Sequence, residues 1–165
     1  MRRSPLLILA LMALALSWTP GVPSWTAAAA GRVSLSDTDP PVNETHIFNG
    51  EINRRGKPVG FHSRPGGRNP AGARLSRILQ GPNRLGVYVA EVEIRARDGR
   101  WLRKTSTFYP DALSRRDVVR AILHAYGRRT TGGAEKFRGP SGRGFTIEGY
   151  YQNGRINTAW PIFQR

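Results

Sequence analysis

Two histidines, His46 and His62, stand sixteen positions apart in the stretch HIFNGEINRRGKPVGFH, and the third, His124, lies far downstream. Imidazole titrates near neutral pH, so two imidazoles can divide the roles of general acid and general base. Glycines and a basic run separate them, and backbone amides beside glycine can add hydrogen-bond donors to a developing negative charge. The chain offers little else of catalytic type. It has no cysteine, no Gly-rich phosphate loop, no His-Glu-x-x-His and no serine in a nucleophile-elbow context. Its eleven carboxylates are scattered singly, which leaves a two-metal nuclease site without evident ligands. What remains is imidazole, amine and hydroxyl chemistry on a basic scaffold. That set suits metal-free cleavage of RNA, whose 2′-hydroxyl is its own nucleophile. The protein then needs a base, an acid and a cation for the dianionic transition state, which a lysine can supply.

Charge points the same way. Setting aside Arg2 and Arg3 leaves 24 basic against 11 acidic residues, a net charge near +13. So basic a domain implies a polyanionic partner, either nucleic acid or an anionic envelope surface. The competing account is solubility with an arginine-biased composition, since only three of the basic residues are lysine. Residues 1–30 read as a signal peptide, with Arg2 and Arg3, an apolar core from Leu6 to Leu16, a Pro-Gly break, and small residues before a cleavage near Ala28 to Ala30. That core is too short for the roughly twenty residues of a spanning helix, so no stable membrane anchor is expected after cleavage. The expected location is secreted or periplasmic, and export without any cysteine fits a bacterial envelope.

The elements that must carry these side chains follow from patterning. Residues 31–43 are polar with a double proline and read as a flexible lead-in to one domain over 44–165. A short helix is expected from Thr45, as its N-cap, to about Ile52, with Ile47, Phe48 and Ile52 on one side. Residues 63–74 read as a basic loop. GVYVAEVEIRA then alternates, with Tyr88, Ala90, Val92 and Ile94 on one face and Glu91, Glu93 and Arg95 on the other; Asp98-Gly99 turns it into the return strand WLRKTSTFYP. SRRDVVRAILHAY is a helix capped by Ser114, with Asp117 in its first turn and Gly127 ending it. His124 near its C-terminus reads as structural, facing the helix dipole. Residues 128–144 read as a second Gly-rich basic loop. A hairpin turning at Asn153-Gly154 closes the chain. The fold class is therefore α+β, a short N-terminal helical part followed by an antiparallel sheet with a packed helix.

His46-Ile47-Phe48-Asn49-Gly50-Glu51 followed by Gly60-Phe61-His62-Ser63 resembles the two-histidine segment of bacterial EndoU nucleases. The resemblance continues through Gly86-Val87-Tyr88, the Lys104-Thr105-Ser106 strand, Gly144-Phe145-Thr146-Ile147-Glu148-Gly149-Tyr150 and the final Thr158-Ala159-Trp160-Pro161-Ile162. It implies a barnase-like fold and an RNA endonuclease that leaves a 2′,3′-cyclic phosphate and a 5′-hydroxyl without a cofactor or metal. It also implies that His46 and His62 are the catalytic pair and Lys104 the third member. The reading leans to His62 as base and His46 as acid, though the residues alone leave that division open. Gly60 matches a glycine whose amide faces the scissile phosphate, and Thr158 and Trp160 fall where the family has a Thr-x-Tyr pair. Tryptophan keeps the stacking surface of that tyrosine and loses its hydroxyl, which bears on nucleotide preference. Ser106 shares a strand face with Lys104, so it either contacts substrate hydroxyls or makes a sheet hydrogen bond. The implied partners are RNA, with tRNA and other single-stranded or loop RNA as the candidates, and a cognate immunity protein where the domain serves as a toxin; a monomer is expected. The rival reading is a non-catalytic secreted module that binds polyanions on the same fold.

Overall fold

A computed structural model describes residues 33–132 and 135–165; the expected signal peptide lies outside the described residues. The elements, in chain order, are a π-helical turn (Thr45–Asn49), β1 (Glu51–Ile52), β2 (Pro58–Val59), a 3-10 turn (Pro65–Gly67), β3 (Ala73–Gln80), β4 (Tyr88–Arg95), β5 (Trp101–Phe108), α1 (Arg115–Gly127), β6 (Thr131–Gly132), β7 (Lys136–Pro140), β8 (Thr146–Gln152) and β9 (Arg155–Pro161). They form a β1-β2 ribbon, a three-stranded β3-β4-β5 sheet and a four-stranded β6-β7-β8-β9 sheet, all antiparallel. The α+β layout is the one expected.

Both hairpins read from turn chemistry are present. Val92 faces Lys104 and Ile94 faces Leu102 across the first, and Gly99 takes the positive φ that its turn requires. In the second, Asn153 and Gly154 both have positive φ (54° and 75°), as a two-residue primed turn demands. α1 begins with the expected capping box: the Ser114 hydroxyl accepts from the Asp117 N–H, and the Asp117 carboxylate accepts from the Ser114 N–H. Its apolar face, Val118, Val119, Ala121, Ile122 and Ala125, is buried against one face of the four-stranded sheet. The approach is close at Gly139, where a Cβ would collide with the Ala125 carbonyl.

Two hydrophobic cores result. One joins α1, the inner face of β7–β9, Val42, Ile47, Phe48 and Tyr109. The other joins Phe61 to Tyr88, Ala90, Val92, Ile94 and Phe108 of the three-stranded sheet. His46 is thus followed in sequence by two anchors of the first core, and His62 is preceded by an anchor of the second.

Four local expectations need correction. The helix expected over 45–52 is a single π-helical turn that stops at Asn49, because Gly50 (φ 67°) reverses the chain and Ile52 pairs with Pro58 instead. Thr45 does not cap it: its hydroxyl accepts from the Ser34 N–H, which lies outside the turn. Residues 33–43 are not a loose lead-in, since Val42 is fully buried and bridges to Ile156 in parallel, while Leu35 bridges to Asn43. Both basic loops contain strands. β3 starts at Ala73, and its exposed edge position and two register shifts erase the alternation that would have announced it. β6 and β7 interrupt the stretch 128–144, where Gly139 and Pro140 hide an otherwise alternating segment.

Candidate active site

The two histidines meet because their backbones are stitched together. The Phe61 N–H donates to the His46 carbonyl (2.8 Å), and the His62 and Ser63 N–H groups donate to the Ile47 carbonyl (2.7 and 3.2 Å). This ladder needs the chain to turn at Gly60 (φ 74°) and Phe61 (φ 59°). A left-handed conformation costs a non-glycine residue about 1–2 kcal/mol. Burial of the phenyl ring contributes about 2–3 kcal/mol, and its edge-on contact with Phe108 at 5.1 Å adds to that, so the strained turn is held. The imidazole centroids end 6.1 Å apart, and each histidine is 8% exposed.

Each imidazole is oriented through Nδ1. His46 Nδ1 lies 2.8 Å from a Glu51 carboxylate oxygen, which can only accept. His62 Nδ1 lies 3.0 Å from the Thr107 carbonyl, which also can only accept, so it too carries a proton. Ser106 Oγ, 3.1 Å from the same nitrogen, donates its single proton to the Phe61 carbonyl (2.8 Å) and is therefore an acceptor toward His62. Both Nε2 atoms are left without a partner among the described residues. A neutral His62 then has its lone pair on Nε2. His46 can carry a second proton there, with Glu51 balancing the charge.

Lys104 completes the cluster from β5. Its ammonium donates to the Gly60 carbonyl (2.8 Å) and to Ser106 Oγ (3.0 Å), which leaves one of its three N–H groups uncommitted. Burial depresses the Lys104 amine to about 8. Burial, with the Lys104 cation and His46 adding to it, pushes His62 well below its ordinary 6.5. The hydrogen bond from His46 holds the Glu51 carboxyl below its ordinary value, although partial burial opposes the shift. The site thus presents a neutral imidazole, an imidazole coupled to a carboxylate and a partly desolvated amine side by side.

His46, His62, Lys104, Gly60 and Ser106 therefore fall in one hydrogen-bonded cluster. Trp160 joins its edge, with its ring 6.0 Å from that of His62. Thr158, two residues earlier on β9, faces Tyr150 across the ladder and makes no hydrogen bond to the cluster among the described residues. Ser106 is 3% exposed and its hydroxyl is engaged with Phe61, Lys104 and His62, the sheet-side hydrogen bonding that was one of its two expected roles. His124 is remote from the cluster, bonded through Nδ1 to the Pro140 carbonyl (2.8 Å) as a structural residue. Glu51 and the Thr107 carbonyl are the functional groups that sequence reading did not assign. Among the described residues no three metal-ligating side chains gather at one place.

Comparison with known proteins places the chain in a family. Residues 42–163 match the family model described as bacterial EndoU nuclease. A protein named Toxin from Bacillus cereus is 34% identical over 117 residues, a match covering 70% of this chain and 21% of the relative. The match spans about a fifth of that relative's length. No solved structure matches. The family match begins at the segment that carries His46 and ends just beyond Trp160: the chain belongs to the bacterial EndoU nuclease family.

Proposed function

We propose that the domain is an endoribonuclease that cleaves by 2′-hydroxyl transesterification, with no metal taking part in the bond-breaking step. The observation that carries this reading is the unlike support of two adjacent imidazoles: His62 Nδ1 is held by a carbonyl and His46 Nδ1 by a carboxylate, and both Nε2 atoms are left free among the described residues. His62, kept neutral by burial, accepts the 2′-hydroxyl proton at Nε2. The 2′-oxygen attacks phosphorus, the bond to the 5′-oxygen breaks, and His46 Nε2–H gives its proton to that leaving oxygen. The products are a 2′,3′-cyclic phosphate and a 5′-hydroxyl, and exchange with solvent restores both imidazoles. The free N–H of Lys104 faces the charge that builds on the phosphorane, in a partly desolvated site where such a contact is strong. Gly60 lends its amide to the same phosphate, and Trp160 stacks a base beside His62.

The name of the Bacillus cereus relative supports a toxin role, and residues 1–30 support export to the periplasm or medium. A producing cell then needs a cognate inhibitor, which is the expected protein partner. The test is RNA incubated with the protein in EDTA beside His46→Ala and His62→Ala, with 3′-ends assayed for cyclic phosphate. Cleavage by the unaltered protein alone is the expected result. No cleavage, or equal cleavage by all three, would refute the nuclease mechanism and leave a polyanion-binding module. Cleavage restored only by a divalent ion would overturn the metal-free step.

A further inference from the structure

The four-stranded sheet has one face packed on α1, and its other face is uncovered at Lys136 and Arg138 and partly exposed at Glu148, Tyr150, Thr158 and Trp160. The uncovered face begins at the catalytic cluster. Its side chains fall into two cross-strand rows fixed by register: Trp160 on β9, Glu148 on β8 and Arg138 on β7; then Thr158, Tyr150 and Lys136 on the same three strands. Trp160 lies 6.0 Å from His62, and Tyr150 lies 6.0 Å from Trp160, ring centre to ring centre. The neighbouring Tyr151 instead stacks on Tyr126 at 5.2 Å in the helix-side core, so only Tyr150 of the pair serves the open face. Beyond the rings, the Glu148 carboxylate, 12% exposed, holds Lys136 (2.9 Å) and Arg138 (2.9 Å) while both cations remain about half exposed.

We propose that this face is a track for single-stranded RNA leading away from the two histidines, with Tyr150 as a second stacking platform and the Lys136–Arg138 pair as a backbone clamp. The inference rests on the ribonuclease reading of the same site. Strands are about 4.8 Å apart, so the cations on β7 sit roughly 10 Å across the sheet from Trp160. That places them beside nucleotides adjoining the scissile one, not beside the scissile phosphate. Aromatic faces in line with paired cations suit unstacked bases joined by phosphodiesters. A duplex offers no free base to Trp160 or Tyr150, and a lipid headgroup offers no base at all. Glu148 fixes the two cations in place without cancelling them, because one carboxylate faces two positive charges and each cation keeps further N–H donors.

The experiment compares a dinucleotide with a single-stranded RNA of about ten nucleotides, a length within the usual range for such tracks. Lys136→Gln/Arg138→Gln and Tyr150→Leu are assayed beside the unaltered protein, with thermal unfolding to verify folding. On the longer RNA kcat/KM is expected to fall at least about tenfold for Tyr150→Leu. For the double variant the salt dependence of log KM should flatten by a slope of about 1.4, about 0.7 for each lost phosphate contact to a single strand. Dinucleotide cleavage should stay unchanged. Equal losses on both substrates, or none on the longer one, would overturn the track and leave the nuclease intact. If the unaltered protein cleaves neither, the ribonuclease reading fails by itself. Binding of a 2′-O-methyl oligonucleotide, measured by fluorescence anisotropy, then decides: weaker binding by the variants sustains the track, and unchanged binding overturns it.

Discussion

Gly60→Ala probes the turn that aligns the two imidazoles. A Cβ there would overlap the His46 carbonyl oxygen and come within 3.0 Å of His46 Cδ2, and the backbone has φ 74°. Two costs add: about 1–2 kcal/mol for alanine at positive φ and about 1–3 kcal/mol for forcing a methyl into packed surroundings. A total of about 3 kcal/mol corresponds to a fall of about 10 °C in Tm for a domain of this size. Gly56 is the control, because it has a similar φ of 72° with nothing within 4 Å of its Cβ. Gly56→Ala should therefore lose only the smaller, conformational part. The two substitutions should diverge further in catalysis. The His46 carbonyl is the acceptor for the Phe61 N–H, so relief of the clash separates His46 from His62. Displacement of a catalytic group by about 1 Å can cost on the order of a hundredfold in rate. Thermal unfolding by circular dichroism and single-turnover cleavage of a labelled RNA measure both effects. If Gly60→Ala matches Gly56→Ala in Tm and cleaves at the unaltered rate, the account of the turn is wrong.

Lys104→Met should abolish cleavage yet raise stability at pH 7. Depression of the amine from 10.5 to about 8 corresponds to about 3 kcal/mol of unfavourable burial of charge, offset in part by the lost hydrogen bonds to Gly60 and Ser106. Chemical denaturation of the two proteins reads the net gain, and a less stable variant would contradict it. In the unaltered protein Lys104 has a depressed folded value, so the unfolded chain binds more protons between pH 8 and 10.5 and this residue's contribution to stability rises with pH across that window. His62 is depressed as well: its contribution to stability is present above its unfolded value of about 6.5 and is lost as pH falls toward its lower folded value, which urea midpoints with and without His62→Phe would show. In the cleavage profile, activity should persist well below pH 6.5 on the acid side and decline above about pH 8 as Lys104 loses its proton. Glu51→Gln should lower kcat with little change in KM. A charge-assisted hydrogen bond contributes about 1.5–3 kcal/mol, and the 37% exposure of the Glu51 side chain reduces that to about 1.5, or roughly tenfold.

The parts of this molecule that were legible in the sequence share a physical trait: a local signal strong enough to act without its neighbours. Asp98-Gly99 and Asn153-Gly154 specify their turns, and the Ser114 box starts its helix, whatever packs on them. β3 has no such signal. It lies at an edge, and Ile78 and Leu79 stay about half exposed, so solvent imposes no alternation on it. The site was legible through His46, His62 and Lys104, because residue types and flanking motifs name them together. Glu51 was not. Five residues along an ideal helix would turn it well away from His46, whereas the wider π-helical turn and the reversal at Gly50 bring the two within 2.8 Å. Ser106 was assigned to the correct face, but its burial depends on Phe61, which a strand pattern cannot reveal.

The parallel bridge between Val42 and Ile156 has a consequence for the order in which the domain is assembled. The segment that leads into His46 is fastened to β9 by the Asn43 N–H to the Ile156 carbonyl (2.9 Å) and by the Ile156 N–H to the Pro41 carbonyl (2.9 Å). These contacts close a loop of more than a hundred residues, and long-range closures of that kind come late in folding. Trp160 arrives with the same strand. A chain still being synthesised therefore has both histidines long before it has the strand that braces them. The cluster around the two histidines is therefore completed only when the last strand docks.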